Sequence, residues 1–240
     1  MITFENVSFS YGSAEKPVLS NISFYIGRGE SVGLIGANGA GKSTVMKLLL
    51  GLLKGTGRIV VDGKEVQADT LSYVRKKLGF VLQNSDDQMF MPTVLEDMMF
   101  GPLNYGADRK TAEEAADRTL ERLGLMYLKN RHNHRLSEGE KRMAAIATVL
   151  AMEPEGLLMD EPTASLDPFN RRIVIDTINA QPQTKIITSH DLDMICDTCP
   201  RVILLSRGSV EADGPADEIL RDRALLERCH LELPIRYQFR

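Results

Sequence analysis

A strand-like run, Ser31 to Ile35, leads directly into Gly36-Ala37-Asn38-Gly39-Ala40-Gly41-Lys42-Ser43-Thr44, which meets the spacing G-x-x-x-x-G-K-[ST] at every fixed position. That spacing demands a strand, a tight glycine turn and a helix in one order. The glycines let the backbone turn without Cβ clashes, so successive N–H groups face one concavity and meet the oxygens of an anion. A helix starting near Lys42 adds its unpaired N-terminal donors and its dipole. The Lys42 ammonium then reaches the β- and γ-phosphates of a nucleotide, and the Ser43 hydroxyl is placed to ligate Mg²⁺. Val45, Met46, Leu48, Leu49 and Leu50 give that helix its apolar face. A site for a nucleoside triphosphate is the expectation.

Composition narrows the setting. With 240 residues, 43% of them hydrophobic, the chain can bury a full core in one or two domains. Lys plus Arg number 29 against 33 for Asp plus Glu, and no long basic block occurs, so DNA or RNA is not an expected partner. Nothing at the N-terminus reads as a leader, and no run approaches the about 18 apolar residues of a membrane span. A cytosolic chain without a transmembrane segment is expected. Cys196, Cys199 and Cys229 are too few for a disulfide framework, and Cys196-x-x-Cys199 lacks a second pair for zinc.

Ile2, Phe4, Val7 and Phe9 alternate as a half-buried strand does, and Val18 to Ile26 forms a second such run, so an antiparallel β-layer starts the fold. Tyr11 falls at the end of the first strand, where its ring can stack on an adenine face or simply pack on its neighbours. Asp62-Gly63 between Gly57–Val61 and Glu65–Val66 predicts another hairpin. Leu78 to Gln83 reads as a buried strand ending in a polar residue, which makes Gln83 a site candidate at a parallel-sheet edge. From there to residue 151 only helical patterns occur, over Thr93–Phe100, Thr111–Leu123 and Ser137–Ala151, implying an inserted helical subdomain. Thr111-Ala112-Glu113-Glu114 predicts a capping box, and Ala112, Ala116, Leu120 and Leu123 form its core stripe.

Leu157-Leu158-Met159-Asp160-Glu161 is an apolar strand ending in two carboxylates, a Walker B arrangement. Asp160 is the candidate holder of Mg²⁺, and Glu161 the candidate base for the water that attacks a γ-phosphate, which points to hydrolysis. The strand Lys185–Thr188 runs into Ser189-His190, and that position makes His190 a candidate γ-phosphate sensor. A hairpin through Arg207-Gly208 and a mostly helical tail over 215–240 complete the chain.

Leu136-Ser137-Glu138-Gly139-Glu140 resembles the LSGGQ signature of ABC-transporter ATPases and stands upstream of the Walker B strand by the proper interval. The other elements follow that family's order: Tyr11 is similar to the A-loop aromatic, Gly36–Thr44 to the Walker A, Gln83 to the Q-loop, Asp160-Glu161 to the Walker B, Ser165-Leu166-Asp167 to the D-loop and His190 to the H-loop. The resemblance covers 1 to about 215 and implies an α/β P-loop NTPase with a RecA-like parallel-sheet core, an N-terminal antiparallel β-layer and an inserted helical subdomain. The implied division is a core of 1–84 and 152–214, a helical subdomain of about 85–151 and a tail from 215. It further implies that ATP and Mg²⁺ are bound, with Ser43, Gln83 and Asp160 near the metal and Asp167 at the nucleotide. Ser137 and Gly139 are then expected to reach the nucleotide of a second ATPase subunit, an identical chain, in an ATP-sandwich dimer.

Within the family, Asn84-Ser85-Asp86-Asp87-Gln88-Met89-Phe90 is similar to the N-P-D-D-Q-L-F segment of the energy-coupling-factor and cobalt-type subgroup, with Ser85 in place of proline. Phe100-Gly101-Pro102-Leu103-Asn104 and the tail segment ending at Pro234 resemble that subgroup too. This implies a peripheral subunit on the cytoplasmic face of the membrane, docked on an integral coupling protein beside a substrate-binding membrane component. The uptake it would power is of a micronutrient: cobalt first, then nickel or a vitamin. A soluble ABC ATPase acting on DNA or ribosomes is the competing reading, disfavoured by the single cassette and the absence of sustained heptads. Glu138 and Glu140 depart from the signature and add negative charge near a triphosphate.

Overall fold

The computed structural model describes residues 1–12 and 16–238. In chain order the elements are β1 (Ile2–Phe9), β2 (Leu19–Ile26), β3 (Ser31–Ile35), α1 (Lys42–Leu49), β4 (Thr56–Val61), β5 (Lys64–Glu65), α2 (Leu71–Lys77), β6 (Leu78–Val81), α3 (Ser85–Gln88), α4 (Val94–Asn104), α5 (Arg109–Leu123) and α6 (Glu138–Leu150). Then come β7 (Gly156–Asp160), α7 (Pro168–Asn179), β8 (Thr184–Thr188), α8 (Leu192–Thr198), β9 (Arg201–Ser206), β10 (Ser209–Pro215), α9 (Ala216–Ile219), α10 (Arg223–Arg228) and α11 (Ile235–Gln238). These are the antiparallel layer and mostly parallel sheet of a P-loop NTPase. The chain divides into two compact units, Met1–Arg75 with Pro182–Arg240, and Lys76–Gln181.

In the first unit β2, β1, β4 and β5 form an antiparallel sheet, with Phe4 opposite Phe24 and their rings stacked at 4.5 Å. Asp62 (φ 50°) and Gly63 (φ 79°) turn the β4–β5 hairpin, and Arg207 (φ 49°) with Gly208 (φ 81°) turns β9 into β10. Both central residues take positive φ, as a turn matched to strand twist requires. β3 pairs in parallel with β8 on one side and β9 on the other. All five residues of β3 are buried, so it reads as a continuous apolar run rather than an alternating one.

In the second unit β6 and β7 pair in parallel from Leu78 opposite Gly156 to Val81 opposite Met159. α6 packs on β6, and α4 and α5 pack on α6 and on each other. α5 starts two residues before the expected capping box: Asp108 is the cap and accepts from Thr111 N at 2.8 Å, which leaves Thr111 inside the first turn. An aspartate at that position satisfies the same orphan donors, so the Thr-x-x-Glu pattern is not needed. Ala112, Ala116 and Leu120 are buried, and Ala115 and Thr119 widen the stripe. α4 carries a capping box of Thr93 and Glu96 and continues through Pro102 to Asn104, beyond the expected end at Phe100. Asp97, on α4, is buried and accepts from Phe90 N (3.2 Å), Met91 N (3.1 Å) and Asn133 Nδ2. Burial raises its pKa above the ordinary carboxylate value.

Among the described residues no helix is long and apolar enough to cross a membrane. The cysteines are free thiols, with Cys199 buried at the end of α8.

Candidate functional site

In the first unit the loop after β3 is shaped by contacts that exclude side chains. A Cβ on Gly36 would lie 2.4 Å from the Leu205 carbonyl oxygen, and one on Gly41, at φ 104°, would lie 2.5 Å from Leu19 Cδ2. Gly41 is the N-cap of α1 and has no side chain to offer its first turn, so the opening N–H groups of the helix keep their capacity for an anion. Lys42 is buried, and its Nζ donates to the Gly36 carbonyl (2.7 Å) and the Ala37 carbonyl (3.2 Å). The ammonium is thus folded back over its own loop. Asn38 and Gly39 form the exposed tip, Ala40 N donates to Ala37 O at 3.1 Å, Ser43 is exposed and Thr44 is buried.

Tyr11 comes to this loop. Its ring is 47% exposed and meets Phe9 edge-on at 4.8 Å, and its hydroxyl lies 3.5 Å from Thr44 Oγ1. An aromatic face is therefore held open beside the last residue of the glycine loop. His190 is exposed two residues past β8, where Ser189 Oγ accepts from Asp191 N (3.0 Å) and Asp191 caps α8. Arg236 donates to Asp193 and Asp197 on α8, tying the C-terminal segment to the helix that follows His190.

In the second unit Asp160 ends β7 and Glu161 follows it, buried and at φ 48°. A left-handed conformation costs a residue with a Cβ about 1 kcal/mol or more, and such strain collects at functional sites. Gln83 lies beyond the strand expected to end in it, because β6 stops at Val81. The backbone there leaves the ladder: Gln88 Oε1 accepts from Leu82 N (3.0 Å), and Arg142 donates to the carbonyls of Leu82 (2.8 Å) and Gln83 (2.5 Å). Ser137 caps α6 in a capping box with Glu140, whose carboxylate accepts from Ser137 N (2.9 Å) and Oγ (3.0 Å). The Ser137 N–H holds the Glu140 carboxyl below its ordinary pKa. Gly139 faces Asn170, which donates to Asp167, and Asp167 caps α7 through Phe169 N (2.9 Å) and Asn170 N (3.1 Å).

The family model for ABC transporters matches residues 19–164. The chain belongs to the ABC transporter family. A Gloeobacter violaceus protein assigned as an ABC transporter ATP-binding protein is 48% identical over 237 residues, covering 98% of this chain and 97% of that one. The energy-coupling factor transporter ATP-binding protein EcfA of Methanothermobacter thermautotrophicus is 42% identical over 98% of this chain and 77% of its own. The solved structure of CbiO1 from Clostridium perfringens, described as part of the ABC transporter complex CbiONQ, superposes with a TM-score of 0.83 at 32% identity, over 95% of this chain and 93% of that one. As an ABC ATPase the chain binds and hydrolyses ATP.

The two departures in this ABC ATPase's signature have separate fates. Glu140 caps α6 with Ser137, and Glu138 lies on the exposed side with its carboxylate 3.7 Å from Lys141 Nζ, which also pairs with Asp86 at 2.7 Å. The acid at 138 is thereby drawn along the helix toward a lysine. Arg142 holds the Gln83 carbonyl, Gln88 the Leu82 N–H beside it and Asn170 the Asp167 carboxylate, and of these three only Gln88 stood in a motif legible beforehand.

Proposed function

We propose that this ABC ATPase is the motor of an energy-coupling-factor importer, docked on an integral membrane coupling protein and powering micronutrient uptake, with a cobalt ion the first candidate and a nickel ion or vitamin next. The observation that carries the reading is the stretch after Gln83. Asn84 caps α3, and Phe90 stands 61% exposed with its ring edge-on to Phe100 at 4.8 Å, itself 43% exposed. Paired aromatics left outside a folded unit fit a surface that a partner covers. The likeness to EcfA, and to CbiO1 as part of the transporter complex CbiONQ, supports a partner of that kind.

Roles follow unit by unit. In the first, Gly36, Ala37, Asn38, Gly39, Ala40, Gly41 and Thr44 wrap the phosphates, Lys42 exchanges the Gly36 and Ala37 carbonyls for β- and γ-phosphate oxygens, Tyr11 stacks on adenine and His190 senses the γ-phosphate. Ser43 offers a hydroxyl to Mg²⁺. In the second, Asp160 and Gln83 are the metal-side oxygens and Glu161 takes the proton of the attacking water. These are hard oxygen donors that suit Mg²⁺. Among the described residues no group of three or more His, Cys, Asp or Glu could hold a metal by itself, which fits an ion that arrives with the nucleotide. Bound Mg²⁺ neutralises phosphate charge. Ser137 and Gly139 close on the nucleotide of a second, identical subunit, with Asp167 beside them.

Affinity purification from detergent-solubilised membranes tests the reading. An integral membrane protein should co-purify with the parent chain and be lost with Phe90→Asp, while ATP hydrolysis by the purified subunit persists. Recovery of ribosomes or DNA in its place contradicts the importer.

A further inference from the structure

We infer that Arg142 and Gln88 are positioning residues for Gln83, fastening the start of the Q-loop to the helix that Ser137 caps so that Gln83 and the signature move as one body. This rests on the proposed roles of Gln83 and Ser137 at ATP.

Where β6 ends at Val81, the next backbone groups lose their ladder partners and must find others. The carbonyls find theirs on Arg142 of α6, and Leu82 N finds its own on Gln88 of α3, which is itself bonded to the same face of α6. The planar Arg142 guanidinium spans two consecutive carbonyls, Leu82 O at 2.8 Å and Gln83 O at 2.5 Å. Gln88 takes Leu82 N on its Oε1 and gives its Nε2 protons to Ala145 O (2.6 Å) and Thr148 Oγ1 (2.9 Å). Residues 142, 145 and 148 recur at the spacing of a single helix face. The outer end is closed by Lys141 on Asp86.

Stability alone does not account for Arg142. It is 5% exposed, pairs with no carboxylate among the described residues, and burial pushes its pKa below the ordinary arginine value. Its Nε has no partner among the described residues either. A cation buried without a salt bridge, its charge offset only in part by Glu138, is costly, and an apolar side chain of the same length would fill the volume. What the guanidinium adds is a two-pronged grip at fixed spacing, which a lysine cannot reproduce. With that grip, a shift of the α6 N-terminus when Ser137 engages a nucleotide carries Gln83 with it.

A double-mutant cycle on ATP hydrolysis by the full chain tests this, with Gln83→Ala, Arg142→Met and the pair compared for kcat and KM. Misplacing a group at a reacting centre by an ångström costs roughly 10- to 100-fold, so Arg142→Met should lower kcat by that order and leave KM for ATP within about twofold. Arg142→Lys should recover part of the loss. In the Gln83→Ala background, Arg142→Met should cost less than about twofold more, because there is no longer a side chain to misplace. An equal loss in both backgrounds, or an unchanged kcat for Arg142→Met, overturns the inference while leaving the proposed ATP chemistry standing. An unchanged kcat for Gln83→Ala overturns it differently, by removing Gln83 from the chemistry. If Arg142→Met does not fold, Gln88→Leu completes the same cycle.

Discussion

Asn170 stands where a side chain at Gly139 would have to go: a Cβ built on Gly139 would lie 2.4 Å from Asn170 Cγ and Oδ1, while Asn170 Nδ2 donates to Asp167 Oδ2 at 2.5 Å. The signature glycine and the D-loop aspartate are linked through one amide. Asn170 is the main reason the Asp167 carboxyl sits below its ordinary pKa. Gly139→Ala should push Asn170 off Asp167 and let the Asp167 pKa rise toward its ordinary value, with a stability change of no more than about 1 kcal/mol, because one flexible side chain has to move and alanine favours the helix. Urea denaturation with a titration of Asp167 checks it; an unmoved Asp167 pKa would contradict the contact.

Lys42→Ala should abolish ATP binding, because the β- and γ-phosphates lose the cation that folds over the loop. Tyr11→Ala should weaken ATP by about 1 kcal/mol, the order of an aromatic stacking contact. Tyr11→Phe should bind as the parent does, since the hydroxyl reaches Thr44 and not the nucleotide. Calorimetric titration reads all three, and equal losses for the Ala and Phe variants would give the hydroxyl the role assigned to the ring.

Asp97→Ala should destabilise the second unit by about 2–3 kcal/mol, since it strips acceptors from Phe90 N, Met91 N and Asn133. Chemical denaturation monitored in that unit is the measurement. A loss below about 0.5 kcal/mol would mean that water replaces the carboxylate, the outcome ordinary for a surface substitution.

The Glu140 carboxyl carries a pH signature. Its folded pKa lies below the ordinary 4.5, so its contribution to stability is fully present above that value and is lost as pH falls through the depressed one. Glu140→Gln keeps an acceptor for Ser137 N and cannot titrate. Its acid unfolding should therefore be shallower than the parent's between pH 4.5 and the depressed value; identical acid profiles would contradict the capping box.

Much of the fold was legible because it is locally encoded. Asp62-Gly63 and Arg207-Gly208 announce their hairpins through a glycine able to take positive φ, and the loop at 36–44 needs its glycines for the same kind of reason. The start of α5 was not legible: Asp108 and Thr111 are both good caps, and the choice belongs to packing of the Ala112 to Leu120 stripe. Gln83 was read as a strand end, yet the ladder stops at Val81, because Arg142 and Gln88 compete for the next backbone groups. No motif marks such a bond, since its acceptors are carbonyls that every residue possesses. Tyr11 is the converse case. Its strand-end position left two readings open, and the 3.5 Å approach to Thr44 comes from register, which an isolated aromatic does not encode.

Glu161→Gln tests the central claim most directly. The amide keeps the shape and one acceptor oxygen but cannot take a proton from water, so hydrolysis should fall by roughly 10²-fold or more while ATP still binds. Size-exclusion chromatography with ATP and Mg²⁺ should then show this variant as a dimer, and as a monomer with ADP, which lacks the γ-phosphate to bridge Lys42 of one subunit and Ser137 and Gly139 of the other. Hydrolysis at the parent rate would remove Glu161 as the base, and a dimer indifferent to nucleotide would contradict the ATP-driven closure.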